Sequence, residues 1–595
     1  MNLNLKTISV ALLIASGILW PAESEGARRQ LKVLAIGNSF TVDAVQDDLV
    51  PLALADSTEL VIGYPYKGGT TLEQHHRWLL ADTGVYNYRK AMPGGPAPRR
   101  KHTTLKQAAA DDDWDVVMIQ TNHGGTSGFR GNYLPYVNAI VDSVKACMAH
   151  PDSVRLGLYM TWAYDKDSDY KHFPMYGKNQ ERMYREITAA APQIVAETDL
   201  DFIIPAGTAI QNLRTAPAFG DRMNRDGYHM NLDYGRYTVA CTWYEVLTGR
   251  PAMGNTYRPK ELSPFQAALC QAAAHLAVLH PFEVTDMSAF GPDPLTAAFG
   301  DSLPPRLELG TTIAPLGGLD GLNYIKFRNL RNSGLRHVEI SLTGLVNGDN
   351  PLPLPELRRR FARVKADADS AGINIWSIHM PYGPDCDPAA LDEKVRRESE
   401  KKYRSYISAV AVLEPEYILF HPSAPRMSPG DRKGHMRQAV KTISALEKDA
   451  KSIGASIVVE NLRGPHVNRP DGTERGLGRT VEEMTELMDA MPETVYAAVD
   501  LNHIEHPERL LRALGKRVRS LHVCDSDQTR DCHFLPGRGT NDWPEILAAL
   551  YEIGYTGPWL YEIKASEIEE LAEMTSAYNW AYRSYLEKLT NQSEK

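Results

Sequence analysis

Two α/β domains in tandem are predicted from this chain: a three-layer α/β/α parallel sheet, then a (β/α)8 TIM barrel. Three observations predict them. The length, 595 residues, exceeds what one hydrophobic core sustains. Short apolar runs alternate with helical stretches, the pattern of parallel strands covered by helices. That alternation is interrupted once, by a stretch rich in Pro, Gly and Asp at 282–308 (FEVTDMSAFGPDPLTAAFGDSLPPRLE), which marks a seam.

The elements follow in order. Lys6 precedes an apolar stretch from Ile8 to Trp20 and then small and polar residues, the layout of an export signal spanning 1–27. The expected protein is therefore periplasmic or secreted. The apolar stretch is shorter than the roughly 20 residues that a spanning helix needs, so no membrane association is expected after cleavage.

Residues 28–285 form the first domain. Its strands read as LKVLAI (31–36), ELVIGY (59–64), WDVVMIQ (114–120), RLGLYMTW (155–162) and DFIIPAG (201–207). Helical stretches such as 136–150 separate them, and another at 265–280 closes the domain. After a linker at 286–308, the barrel occupies 309–590. Seven of its strands read as 337–342, 374–380, 417–422, 456–461, 495–501, 519–525 and 559–564. Regular βα repetition over that length is the signature of a TIM barrel, with one strand left to find.

Net charge is −9 and the isoelectric point is near 6.1. That balance lacks the basic footprint of a nucleic-acid partner. The six cysteines, Cys147, Cys241, Cys270, Cys386, Cys524 and Cys532, have no metal-type spacing. Export permits disulfides without requiring them.

Two constellations carry chemistry. In AIGNSFTVDA (35–44), Ser39 follows an apolar strand through a Gly-Asn turn. Open α/β sheets place ligands at the carboxyl ends of strands. A serine nucleophile needs a base and an orienting carboxylate, and MNRDGYHMN (223–231) supplies Asp226 and His229 three residues apart. In this reading His229 takes the Ser39 proton and Asp226 fixes the imidazole tautomer.

With these residues in that order, residues 30–250 resemble the SGNH, or GDSL-like, hydrolases. The resemblance implies carboxyl-ester hydrolysis without a cofactor, commonly carbohydrate deacetylation. It also implies an oxyanion hole built from a backbone glycine and an asparagine. Gly69, or its neighbour Gly68, matches the glycine in KGGTTLEQH (67–75). The family's Gly-x-Asn-Asp is replaced here by IQTNHGG (119–125), where Asn122 is the nearest match and Gln120 an alternative donor.

The second constellation lies at the barrel's strand ends: His379, His421, Glu460, Asp500, His503, His522 and Glu562, with Asp531 and His533 in TRDCHFLPGRGTNDW (529–543). Carboxyl ends of barrel strands converge on one mouth. Carboxylates and imidazoles crowded there need a cation, and mixed His and carboxylate ligands suit Zn²⁺, Mn²⁺ or Fe²⁺.

This set resembles the xylose isomerase-like TIM barrels, which include sugar isomerases, epimerases and endonuclease IV. The isomerase-type pattern implies a metal quartet of Glu460, Asp500, His522 and Glu562. Its two glutamates would move the proton and His503 would bind substrate, with the run His533–Trp543 a family hallmark. The endonuclease-type pattern implies three zinc ions held by all nine residues. One to three divalent ions are thus expected.

The sequence reads as a bifunctional enzyme acting on small carbohydrates or acetylated glycans, an esterase joined to an isomerase, epimerase or lyase. The alternatives are a multi-zinc phosphoesterase barrel and a glycan-binding scaffold with degenerate sites. Arg463 and Arg538 lie near these loops as anion binders or braces.

Overall fold

The computed structural model describes residues 29–121, 128–347, 351–427, 430–467 and 474–593. The expected export signal at 1–27 and Asn122 both lie outside them. Among the described residues no helix is long and apolar enough to cross a membrane. The chain divides between Ala298 and Phe299 into two compact units.

The first unit is built on a seven-stranded sheet. Its strands are β1 (Arg29–Ile36), β2 (Thr58–Tyr66), β3 (Tyr86–Ala91), β4 (Arg100–Thr103), β5 (Val116–Ile119), β6 (Arg155–Tyr159) and β7 (Phe202–Ile204), in the order β4-β3-β2-β1-β5-β6-β7. β1 pairs in parallel with β2 and β5 through fully buried residues such as Val33 and Leu34. That double-sided burial is why its sequence is a continuous apolar run.

The sheet corrects the all-parallel expectation, because β3 and β4 run antiparallel at one edge. Their sequences, YNYRKA and RKHT, carry no apolar run. Charged edge strands of this kind blunt pairing with other chains. The predicted strand 201–207 is also shorter than expected, because Ala206 already begins the helix Ala206–Leu213.

The second unit is a nearly closed parallel barrel of eight strands. Its strands are β8 (Leu309–Thr312), β9 (Leu335–Ser341), β10 (Asn374–His379), β11 (Tyr417–Phe420), β13 (Ser456–Glu460), β15 (Val495–Asp500), β16 (Val518–His522) and β17 (Trp559–Tyr561). A two-stranded ribbon, β12 (Arg426–Met427) with β14 (Glu474–Arg475), lies outside the ring order. β8 is the strand the sequence pattern left unassigned. Its LGTT sequence is too short to stand out, and it pairs with β9 and β17. Just beyond β16 the chain bridges β17, where Val523 N–H donates to the Leu560 carbonyl at 2.8 Å and Glu562 N–H to the Val523 carbonyl at 3.1 Å.

Candidate functional site

Ser39 opens the helix Ser39–Val45 directly after β1. The turn before it is crowded. A Cβ on Gly37 would lie 2.2 Å from Thr41 Oγ1 and 2.4 Å from Gln120 Oε1, so no other residue fits. Gln120 accepts from Asn38 N–H and from the Thr41 hydroxyl, both at 3.0 Å. Its Nε2 is buried without a partner. Asn38 caps the helix by accepting from Phe40 N–H at 3.1 Å. Its amide also donates to the Thr70 carbonyl at 3.0 Å, which ties the exposed Gly68–Gly69 turn to the serine loop.

The structure brings Ser39, His229 and Asp226 together. The Ser39 hydroxyl lies 2.8 Å from His229 Nε2, and His229 Nδ1 lies 2.7 Å from Asp226 Oδ2. Burial raises the Asp226 pKa, but His229 outweighs it and keeps the carboxyl below its ordinary range. An ionised carboxylate only accepts, so Nδ1 carries the proton and Nε2 is free to accept from the serine. The other Asp226 oxygen accepts from the backbone N–H of Tyr228 and of His229, at 3.2 and 2.8 Å. The turn between them needs Gly227, whose φ is +92°.

Sequence reasoning missed the residues that hold this geometry. Asp43, one turn after Ser39, accepts from Met230 N–H at 3.0 Å and pairs with Arg225 and Arg236 at 3.0 and 2.8 Å. Burial pushes its carboxyl up, and the two guanidiniums more than offset this, holding it low. Asp165 accepts from the N–H groups of Met223 and Asn224 and pairs with the buried Arg214. Beneath the turn, His75 Nε2–H donates to the Gly37 carbonyl at 3.2 Å, and Tyr86 donates its hydroxyl proton to Nδ1 at 2.7 Å. Burial pushes His75 down to about 4, so it is neutral at pH 7.

At the barrel mouth the predicted cluster assembles from six strands and the loops that follow them. Three groups have ligand atoms within 4.8 Å of one another: His379, His421 and Glu460; Asp500, His503 and His533; and Glu460, Asp500, His522 and Glu562. Asp531 lies against the last two histidines of the second group, 3.5 Å from His503 Nε2 and 2.9 Å from His533 Nε2. Three rings are oriented by donating Nδ1–H to backbone carbonyls: His379 to Met380 at 2.9 Å, His503 to Asn461 at 3.0 Å and His533 to Glu562 at 2.9 Å. Their Nε2 atoms face the cluster's carboxylates, His379 towards Glu460 at 3.4 Å and His503 and His533 towards Asp531.

Several donor atoms here lack hydrogen-bond partners: Glu460 Oε2, Asp500 Oδ2, His503 Nε2 and His421 Nδ1, all buried. Buried polar atoms left this way are costly, so the donor set fits a divalent cation. Burial pushes His421 down to about 4, leaving a neutral imidazole suited to ligation. Burial would also lower His522, but Glu339, Glu562 and Glu460 outweigh it and hold the ring well above its ordinary value. Glu339 on β9 was not singled out in the sequence, because HVEISL reads as an ordinary strand.

A cavity opens over the cluster, lined among others by Tyr382, Arg463, His533 and Glu562. Tyr382 stacks on His421 with ring centres 4.1 Å apart. Arg463 pairs with Asp531 at this cavity. Arg538 instead braces Glu567 and Glu573, both at 3.3 Å. The His533–Trp543 run is held by the buried Asp525, which accepts from Gly537 N–H, Asn541 N–H and Trp543 Nε1.

Comparison with known proteins matches each half separately. Residues 32–277 match the domain of unknown function DUF4886, and residues 327–583 match the xylose isomerase-like TIM barrel family. A DUF4886 family protein from Bacteroides uniformis is 38% identical, over 43% of this chain and 98% of that one, with a TM-score of 0.42. A D-tagatose 3-epimerase-like protein is 20% identical, over 48% of this chain and 100% of that one, with a TM-score of 0.39. An uncharacterized protein of Methanocaldococcus jannaschii is 27% identical over 190 residues, 30% of this chain. The chain spans 61% of that relative's length. The chain belongs to the DUF4886 family through its first half and carries a xylose isomerase-like TIM barrel in its second.

Proposed function

We propose that the protein is an exported carbohydrate-processing enzyme with two independent active sites. The first half is read as an SGNH-type serine ester hydrolase, a glycan deacetylase. The observation that carries this reading is the hydrogen-bonded relay from Ser39 through His229 to Asp226, at 2.8 and 2.7 Å. In this mechanism His229 takes the hydroxyl proton as Ser39 attacks the ester carbonyl, then returns it to the leaving alcohol. The first amides of the serine helix and the Gly69 turn are the candidate oxyanion donors.

The barrel is read as a divalent-metal-dependent sugar isomerase or epimerase. Glu460, Asp500, His522 and Glu562 would hold the ion, which supplies polarisation of neighbouring sugar oxygens when bound. Glu562, 30% exposed at the cavity, and the buried Glu460 move the proton at the sugar carbon. His503 and His533 orient the substrate hydroxyls.

The other two ligand groups favour a second reading, a multi-zinc phosphoesterase barrel. The acidic net charge of −9 disfavours a nucleic-acid substrate for it. One experiment tests both domains. The purified protein is analysed for bound metal, then assayed on acetylated sugars, free ketoses and aldoses, and an abasic-site duplex. Deacetylation and sugar turnover support the proposal. Incision of the duplex at a comparable rate would install the phosphoesterase reading, and inactivity on every substrate would leave a binding scaffold.

A further inference from the structure

His522 departs from the pattern of three other mouth histidines. His379, His503 and His533 each donate Nδ1–H to a backbone carbonyl and present Nε2. The His522 ring is turned the other way. Its Nδ1 lies 2.9 Å from Glu562 Oε2 and 3.2 Å from Glu460 Oε1, two carboxylates of the same ligand group, while its Nε2 lies 3.0 Å from Glu339 Oε1. The second Glu339 oxygen accepts from the Ser377 hydroxyl at 2.6 Å. Glu339, Ser377 and His522 are each at most 1% exposed, so water cannot substitute for either hydrogen bond.

We propose that Glu339, locked by Ser377, is the positioning residue that turns His522 so that Nδ1 faces Glu460 and Glu562 and strengthens it as a metal donor. A carboxylate accepting the distal N–H of an imidazole fixes the ring's tautomer and orientation and raises the basicity of the other nitrogen. A backbone carbonyl does the first two and carries no charge for the third. The inference rests on the reading of the barrel as a metal site. It adds a residue that is no ligand, on a strand outside all three ligand groups.

The test uses the full-length protein and a chelator competition with Co²⁺ and Zn²⁺. Glu339→Gln keeps an acceptor and the volume but removes the charge, and should weaken affinity by about tenfold. Glu339→Ala should weaken it by up to roughly 100-fold, and Ser377→Ala should fall between wild type and Glu339→Ala. Nitrogen-15 NMR of histidine-labelled, Zn²⁺-loaded wild type should show one ring protonated at Nε2 and bound through Nδ1. That pattern should be lost in Glu339→Ala, or weakened in Glu339→Gln should the alanine variant fail to fold. Affinities within twofold of wild type together with an unchanged ring signal would overturn the role of Glu339 alone. Wild-type protein that binds neither ion would overturn the metal reading and this inference with it.

Discussion

Ser39, His229 and Asp226 satisfy one another. Every functional atom of that relay has a hydrogen-bond partner within the chain. The barrel mouth gathers more groups from more of the sequence and leaves Glu460 Oε2, Asp500 Oδ2 and His503 Nε2 buried without such a partner. The difference teaches what each site needs. A relay of neutral and singly charged groups is completed by the chain's own atoms. A cluster of buried carboxylates and imidazoles fits a cation, which would offset the cost of burying its charges.

The largest expected effect breaks the first site and spares the second. Ser39→Ala should lower aryl-acetate hydrolysis by on the order of 10⁴-fold, while elemental analysis finds unchanged metal in the barrel. Undiminished hydrolysis would remove Ser39 as nucleophile.

Stripping metal should do the reverse. Chelation should abolish sugar turnover and restore it on adding Zn²⁺ or Mn²⁺, with acetate hydrolysis held within twofold. Glu460→Gln should act like chelation, because Glu460 belongs to two of the three ligand groups. Sugar turnover that survives exhaustive chelation would end the contrast between the sites.

A third effect sharpens the contrast through pH. Buried His75 has a pKa depressed to about 4 from its ordinary 6.5. Between those values the unfolded chain binds a proton that the folded chain refuses, so stability is complete above pH 6.5 and lost as pH falls toward 4. The loss amounts to about 3 kcal/mol from this group. His75→Gln should flatten that part of the melting-temperature profile between pH 7 and 4. Parallel profiles for the two proteins would mean that His75 is protonated without penalty.

The smallest effect counts ions. His533→Ala should strip about one ion per chain from a trinuclear mouth, since an imidazole ligand is lost. In a mononuclear mouth built on the quartet it should leave the metal in place and raise KM instead.

Much of this was legible in the residues. β1 and β13 are apolar runs because both faces of those strands are buried, and that pattern survives in one dimension. Asp226 and His229 are close in the chain, and the barrel's strand-end His and Glu residues repeat with the βα period. Glu339 was hidden because a single acid in an otherwise ordinary strand has no periodic signal. Asp43 was hidden because its partners, Arg225, Arg236 and Met230, lie about 180 residues or more away.

The sequence by itself determined which side chains sit at strand ends, since that follows from local hydrophobic periodicity. Only the tertiary structure decided which atom of each ring faces the site, that β3 and β4 run antiparallel, and which carboxylate oxygens are left without a hydrogen bond. Those outcomes depend on hydrogen bonds between residues far apart in the chain, which no local pattern encodes.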